Sequence, residues 1–159
     1  MTKSVGIIFV ALGLIQLLGL VSGGRDALAP LDHLRSEQIS PLHFERVQSV
    51  TELDNVLEKY KTKIVMLDFY ADWCVSCKEM EKLTFTDPLI RSQLAAMILL
   101  QADVTKNTDE DKELLKRFKL FGPPGIIFFR DGAEVTGTRV IGYQDVKQFN
   151  ISLGSIAVK

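Results

Sequence analysis

Residues 64–81 read IVMLDFYADWCVSCKEME, and this stretch decides how the rest of the chain is understood. Residues 63–71, KIVMLDFYA, form an apolar and aromatic run of strand length, the pattern of a β-strand covered on both faces. The run passes at once into Cys74-Val75-Ser76-Cys77, and KEMEKL beyond it has helix-forming character. The chain has only two cysteines, so both are placed in this one C-x-x-C. Asp68 inside the run, and Glu79 and Glu81 just after the pair, surround it with carboxylates. The thiolate is the reactive form of cysteine, and nearby negative charge makes it harder to form.

Four ordinary explanations of a C-x-x-C compete. A zinc site needs about four ligands, and the only supplements, His33 and His43, both precede the globular part. A c-type haem site needs histidine directly after the second cysteine, where this chain has Lys78. A structural disulfide closes so small a loop that it constrains the unfolded chain little. A redox dithiol at the turn from a buried strand into a helix is the favoured reading, with no metal and no cofactor expected. Cys74, at the helix N-terminus and nearer the surface, is then the attacking thiol, favoured as thiolate by the helix dipole. Cys77, one turn further in and more buried, resolves the mixed disulfide.

Asp68 is the odd residue of the strand. Alternation places it on the face of Met66 and Tyr70. That face either meets solvent or, since the whole run is apolar, buries the carboxyl near Cys77. The second reading is favoured: a carboxyl of raised pKa that takes the proton of Cys77. Glu81 lies two helical turns past Cys74, on the same face as the cysteines, and is expected to reach the same region, whereas Glu79 is expected to face water. Trp73 is either an apolar cover beside the sulfur or a plain packing residue. A strongly oxidising dithiol has a stabilised reduced form, usually through a favoured thiolate. Asp68 and Glu81 oppose that, and Val75-Ser76 is neutral, so the site is expected to give electrons away.

Around this stretch, 159 residues leave room for one domain and an appendage. The net charge of −1 offers no basic stripe, which argues against nucleic-acid binding. The 21 residues between Lys3 and Arg25 carry no charge. As a helix they would reach about 32 Å, enough to cross a bilayer. A transmembrane helix over 4–24 is therefore expected, with a cleaved signal peptide and a buried core helix as the alternatives. Lys3 before the span, against the mutually offsetting Arg25 and Asp26 after it, favours a cytoplasmic N-terminus and an external remainder. Residues 25–43 mix charges with two prolines, as a linker does, and the globular domain is expected over 44–159.

Within that domain FERVQ suits a short first strand, and Ser49 with Glu52 forms a capping box for a helix over about 50–61. Asp87-Pro88 opens a helix over PLIRSQLAAM, ILLQADV is a strand, and NTDEDKELLKRF is a dipole-matched helix. GIIFF is a strand, RDGA a hairpin turn, RVIGY one returning strand and DVKQFNISL the last helix. The order β-α-β-α-β-α-β-β-α predicts an α/β fold, a mixed central sheet flanked by helices.

These motifs resemble those of thioredoxin: strand, Cys-x-x-Cys and helix, with GPPG at 122–125 before a later strand. The resemblance implies a thioredoxin-like fold with a cis-proline at Pro124 facing the cysteines. Closer still, VMLDFYADWCVSCKEMEKLTF, LLQADVTKNTDEDKELLKRF and FGPPGIIFF look like the C-terminal periplasmic domain of the bacterial thiol:disulfide interchange protein (DsbD) family, over about 44–153. The apolar segment and SGGRDALAPLDHL resemble that family's last membrane helix and its exit to the periplasm.

The family resemblance implies an inner-membrane electron relay. Its C-terminal domain takes electrons from a membrane domain and passes them to a periplasmic thiol-redox domain, and so to disulfide isomerases and cytochrome c maturation. By position it implies Cys74 as nucleophile, Cys77 as partner in a redox disulfide, and Asp68 and Glu81 as tuning acids. Trp73, Pro123 and Pro124 fall at the substrate-docking surface. Two positions depart from the thioredoxin pattern: Gly125 replaces a common threonine, and Pro123 lacks the N–H that would pair with a docked strand. A fragment of a longer membrane protein is expected rather than a complete short one. The rival readings are a standalone anchored thioredoxin of cytochrome c maturation and a non-catalytic module whose thiols hold a metal or a partner.

Overall fold

Every residue of strand β2 (Val65–Tyr70) is buried, which places it at the centre of the sheet. It pairs in parallel with β3 (Ile98–Asp103) on one side and antiparallel with β4 (Gly125–Arg130) on the other. The short strand β1 (Glu45–Arg46) extends the sheet beyond β3. At the opposite edge β4 carries β5 (Ala133–Glu134) and β6 (Val140–Ile141), both antiparallel. The computed structural model describes residues 42–158, together with Gly6 and Gly13. The expected span over 4–24 and linker over 25–43 thus fall almost wholly outside the described residues. Among the described residues no helix is long and apolar enough to cross a membrane.

Helices cover both faces because β2 alternates between two apolar clusters. Val65, Leu67 and Phe69 pack with Leu53 and Leu57 of α1 (Val50–Lys59) and with Leu114 of α4 (Asp109–Arg117). Met66 packs on the other face with Ile90 and Leu94 of α3 (Pro88–Leu94) and with Phe149, Leu153 and Ile156 of α5 (Val146–Val158). The starts of these helices follow from their caps. Asp87 Oδ1 accepts from the backbone N–H groups of Leu89 and Ile90, with Pro88 in the first turn, and Thr108 and Asp111 form a reciprocal capping box. At α1 the Ser49 hydroxyl accepts from Glu52 N–H, as expected, but the Glu52 carboxylate reaches one residue further back, to Gln48 N–H at 2.7 Å.

Three elements differ from the sequence expectation. The helix after the cysteines is α2 (Val75–Glu79), which widens into a π-helical turn over Met80–Thr84. The wider turn keeps Met80, Thr84 and Phe85 all buried. The Thr84 hydroxyl donates to Gln144 C=O at 2.7 Å, and Gln144 N–H lies 3.2 Å from Met80 Sδ, pinning the turn to the loop before α5. The expected returning strand RVIGY shortens to β6, and a further strand, β5, forms directly after the turn. β5 and β6 both pair with β4, and the residues between them bulge away through Gly137, whose φ of 76° suits glycine, while Thr138 folds back to donate to Val135 C=O. The last helix runs to Val158, past Leu153, because Ile156 continues the buried stripe of Phe149 and Leu153.

Phe149 is fully buried with its ring centroid 5.5 Å from that of Phe85, so it ties α5 to the segment after the π turn. Phe149→Ala is expected to cost about 3–5 kcal/mol of stability. Equilibrium denaturation checks this, and a loss under about 1 kcal/mol would show that the helix is not held by this contact.

Candidate active site

The end of β2 leads through Ala71–Trp73 to Cys74, which is the N-cap of α2. Its sulfur accepts from Cys77 N–H at 3.1 Å, so the cysteine side chain occupies the position a serine or aspartate takes in an ordinary cap. Cys74 and Cys77 form a disulfide, with their Cα atoms 5.3 Å apart. Both are nearly enclosed, at 6% and 3% exposure, so the expected contrast between a surface and a buried cysteine is slight in this oxidised form. Cys77 Sγ lies 4.0 Å from the carbonyl oxygen of Phe69, which places the second cysteine against β2 one residue from Asp68.

Asp68 is 4% exposed, in the middle of the sheet. Its register partners are Gln101 on β3 and Ile126 on β4. Gln101 is itself buried and donates from Nε2 to Asp68 Oδ2 at 2.9 Å. Burial pushes the Asp68 carboxyl up from 3.8 to about 7, against the Gln101 hydrogen bond, which favours the ionised form; the Glu81 charge adds to the rise and the Arg46 charge opposes it. Glu81 itself is exposed on the π turn, close enough for its charge to bear on Asp68. Glu79 is also exposed.

Trp73 is 61% exposed, and its indole N–H donates to Thr105 C=O at 3.3 Å. It is therefore not a core packing residue; it bridges the cysteine loop to the segment after β3. The Thr105 hydroxyl accepts from Asp72 N–H at 2.9 Å and donates to Asp103, which makes a second tie between the same two segments. Arg46 on β1 pairs with Asp103 at 2.7 Å and lies over the Tyr70 ring. The Tyr70 hydroxyl, donating to Asp72, is pushed up to about 12, chiefly by burial.

The Pro123–Pro124 peptide is cis. Gly125, directly after it, is the register partner of Phe69, so the proline loop sits beside the strand end that touches Cys77. The Pro124 carbonyl accepts from Gly142 N–H at 3.0 Å, which fixes the loop to the end of β6. The glycine at 125 has a local reason. A Cβ there would meet Leu120 Cδ1 at 2.8 Å, so a threonine would displace the leucine packed against the loop. Val75 at the start of α2, and Phe121, Ile141 and Tyr143 in these loops and strand ends, are exposed apolar side chains. Among the described residues no group of three or more His, Cys, Asp or Glu is placed to hold a metal ion.

Sequence reasoning missed Gln101 and Thr105. The signal for Gln101 was present: an amide inside the apolar run ILLQADV demands a partner for the same reason that Asp68 does inside its own run. Thr105 had no comparable signal, because its role depends on how two loops meet.

A central parallel–antiparallel sheet, a dithiol capping the helix after its middle strand and a cis-proline loop alongside define a thioredoxin-like domain. The profile of the thioredoxin-like domain family matches residues 51–157, and the chain belongs to that family. Among the relatives it resembles are thiol:disulfide interchange proteins. The thiol:disulfide interchange protein DsbD of Ralstonia nicotianae is 47% identical over 159 residues, covering 95% of this chain and 26% of that protein. The crystal structure of the Neisseria meningitidis DsbD C-terminal domain in the oxidised form matches with a TM-score of 0.55 at 35% identity, covering 67% of this chain and 89% of that one. A thioredoxin from Thermus thermophilus shares the fold, with a TM-score of 0.57 at 24% identity over 74% of this chain and 90% of its own. The chain spans between 19% and 26% of the length of such curated relatives.

Asp68 links folding to pH. Below 3.8 the carboxyl is protonated in both folded and unfolded chains; between 3.8 and about 7 only the folded chain keeps its proton. Stability therefore falls as pH rises through that window, by up to about 1.4 kcal/mol per pH unit from this group, and levels off above it. Asp68→Asn should gain stability over the native chain progressively from pH 4 to pH 7. Denaturation midpoints measured across the range check this, and parallel curves for the two proteins would mean that Asp68 is ionised in the folded chain.

Proposed function

We propose that the chain is a thiol:disulfide oxidoreductase working as a reductase: a membrane-tethered relay that accepts electrons from a membrane-embedded thiol pair and delivers them to periplasmic thiol-redox domains. The observation that carries this reading is the Cys74–Cys77 disulfide at the head of α2, against the strand that buries Asp68. The similarity to thiol:disulfide interchange proteins supports it. So does its extent, since coverage of 95% of the chain takes in most of the residues before the globular unit, where the expected span at 4–24 and linker at 25–43 lie.

In the reduced protein the Cys74 thiolate attacks a disulfide of the acceptor, forming a mixed disulfide and releasing one acceptor sulfur as thiolate. Cys77 then attacks Cys74 Sγ. Its S–H proton passes to the Asp68 carboxylate, the Cys74–Cys77 bond forms, and the Cys74–acceptor bond breaks with its electron pair on the second acceptor sulfur. The acceptor gains two electrons and the C-x-x-C loses two. A membrane donor restores the dithiol by the reverse exchange. Glu81 adds negative charge near Asp68 and so works with burial to keep the carboxyl basic enough for the transfer. Trp73 and the Pro123–Pro124 loop form the surface that meets the partner. Since Pro123 has no N–H, apolar contact contributes more of the docking there than backbone pairing does.

A redox titration of the cysteine pair, followed by thiol trapping, is expected to give a midpoint near or below about −270 mV, the thioredoxin range. A midpoint near −120 mV, the range of strong oxidants, would reverse this direction of electron flow. Separately, Cys77→Ser should accumulate a mixed disulfide on Cys74 with a protein disulfide substrate, whereas Cys74→Ser should form none. Trapping through Cys77 instead would exchange the roles of the two cysteines.

A further inference from the structure

Gln101 is buried at the register position opposite Asp68 and gives its amide nitrogen to the carboxyl at 2.9 Å. Nothing in the exchange chemistry requires a polar side chain on β3, and leaving one buried without a partner costs about 1–3 kcal/mol. We propose that Gln101 is a positioning residue for disulfide exchange: it holds the Asp68 carboxyl through both halves of its proton cycle, donating from the amide nitrogen to the carboxylate and accepting at the amide oxygen from the acid. The inference rests on the reading of Asp68 as the proton acceptor of Cys77.

A carboxylate only accepts, whereas a carboxylic acid must also donate its own proton. A primary amide has both functions, exchanged by a half-turn of its terminal group. At a buried sheet centre, a partner able to serve only one protonation state would leave the other unsatisfied. A lysine at position 101 would serve the carboxylate alone and hold it ionised; a hydrocarbon would serve neither state. Glutamine is neutral, so it orders the carboxyl without fixing its charge. The other groups facing Asp68 cannot do this. Glu81 on the π turn and Arg46 on β1 act on it through charge, the β4 partner is Ile126, and Cys77 of α2 lies against the neighbouring Phe69 carbonyl. During resolution, as the Cys77 proton arrives on Asp68 and the electron pair leaves with the acceptor sulfur, Gln101 turns from donor to acceptor. It turns back when the proton passes to solvent.

The test follows reduced full-length chain reacting with an aromatic disulfide whose thiolate product is coloured. The first release reports attack by Cys74 and the second reports resolution by Cys77. Second-phase rates are collected against pH for the native chain, Gln101→Met and Gln101→Lys, each with and without Asp68→Asn. Gln101→Lys is expected to move the inflection down by about 1–3 pH units, as a cation beside a carboxyl does. Gln101→Met is expected to move it up, and both displacements should vanish when Asp68 is Asn. Gln101→Met, close to isosteric, keeps the test decisive if a buried lysine prevents folding. If the Gln101 variants change rates or stability but leave the inflection in place, while Asp68→Asn moves it, the positioning role is wrong and the Asp68 reading stands. If Asp68→Asn itself leaves the inflection unmoved, the proton-acceptor reading falls and this inference falls with it.

Discussion

A carboxyl group buried at the centre of a β-sheet is the constraint on which the rest of the structure turns. Asp68 has strands on both sides and helices over both faces of its sheet. An ionised carboxylate in such a place costs several kcal/mol unless it is paired or protonated. The fold meets that cost in two ways: an amide on the neighbouring strand supplies one hydrogen bond, and burial shifts the group toward its neutral form. Both depend on the register that sets Asp68 opposite Gln101, because a slip of one residue would turn the two side chains to opposite faces.

The same register assembles the parts of the site. On one side of β2 it fixes the Asp68–Gln101 pair; on the other it brings Gly125, and with it the cis-proline loop, alongside Phe69. The Phe69 carbonyl in turn touches Cys77. Three segments far apart in sequence are therefore positioned by one strand. The loops that carry the reactive groups are fastened separately: Trp73 and Asp72 to Thr105, Pro124 to Gly142, and the π turn to Gln144. Gly125 belongs to this packing as well, since the space a larger residue would need is filled by Leu120.

The order of elements was legible because the signals are local and redundant. A run such as VMLDFY, the Asp87-Pro88 start and the acidic-to-basic gradient of DEDKELLKR each name their element without reference to the rest of the chain. What was not legible depends on neighbours. The extra strand β5 reflects how the edge chain adjusts to β4 directly after the turn, and the residues Ala133–Glu134 carry no local mark of it. The π turn arises because Met80, Thr84 and Phe85 must all reach the interior. Gln101 carries a local signal too: its polar side chain in an apolar strand demands a buried partner as Asp68 does, but only the strand pairing reveals that each is the other's partner.

On the proposed role, the value near 7 matters more than the fact of the shift. A carboxyl left at its ordinary value would be ionised at neutral pH but too weak a base to draw a proton from a thiol. One raised far above neutrality would already hold a proton and could accept none. Proton transfer is served best by a group whose two forms are both populated at working pH. Burial alone would carry a central carboxyl further up, and the Gln101 amide pulls it back, so the strand pairing that builds the sheet also sets the proton affinity of the site. Sheet registration and redox chemistry are in that sense one feature of this chain, expressed at a single pair of side chains.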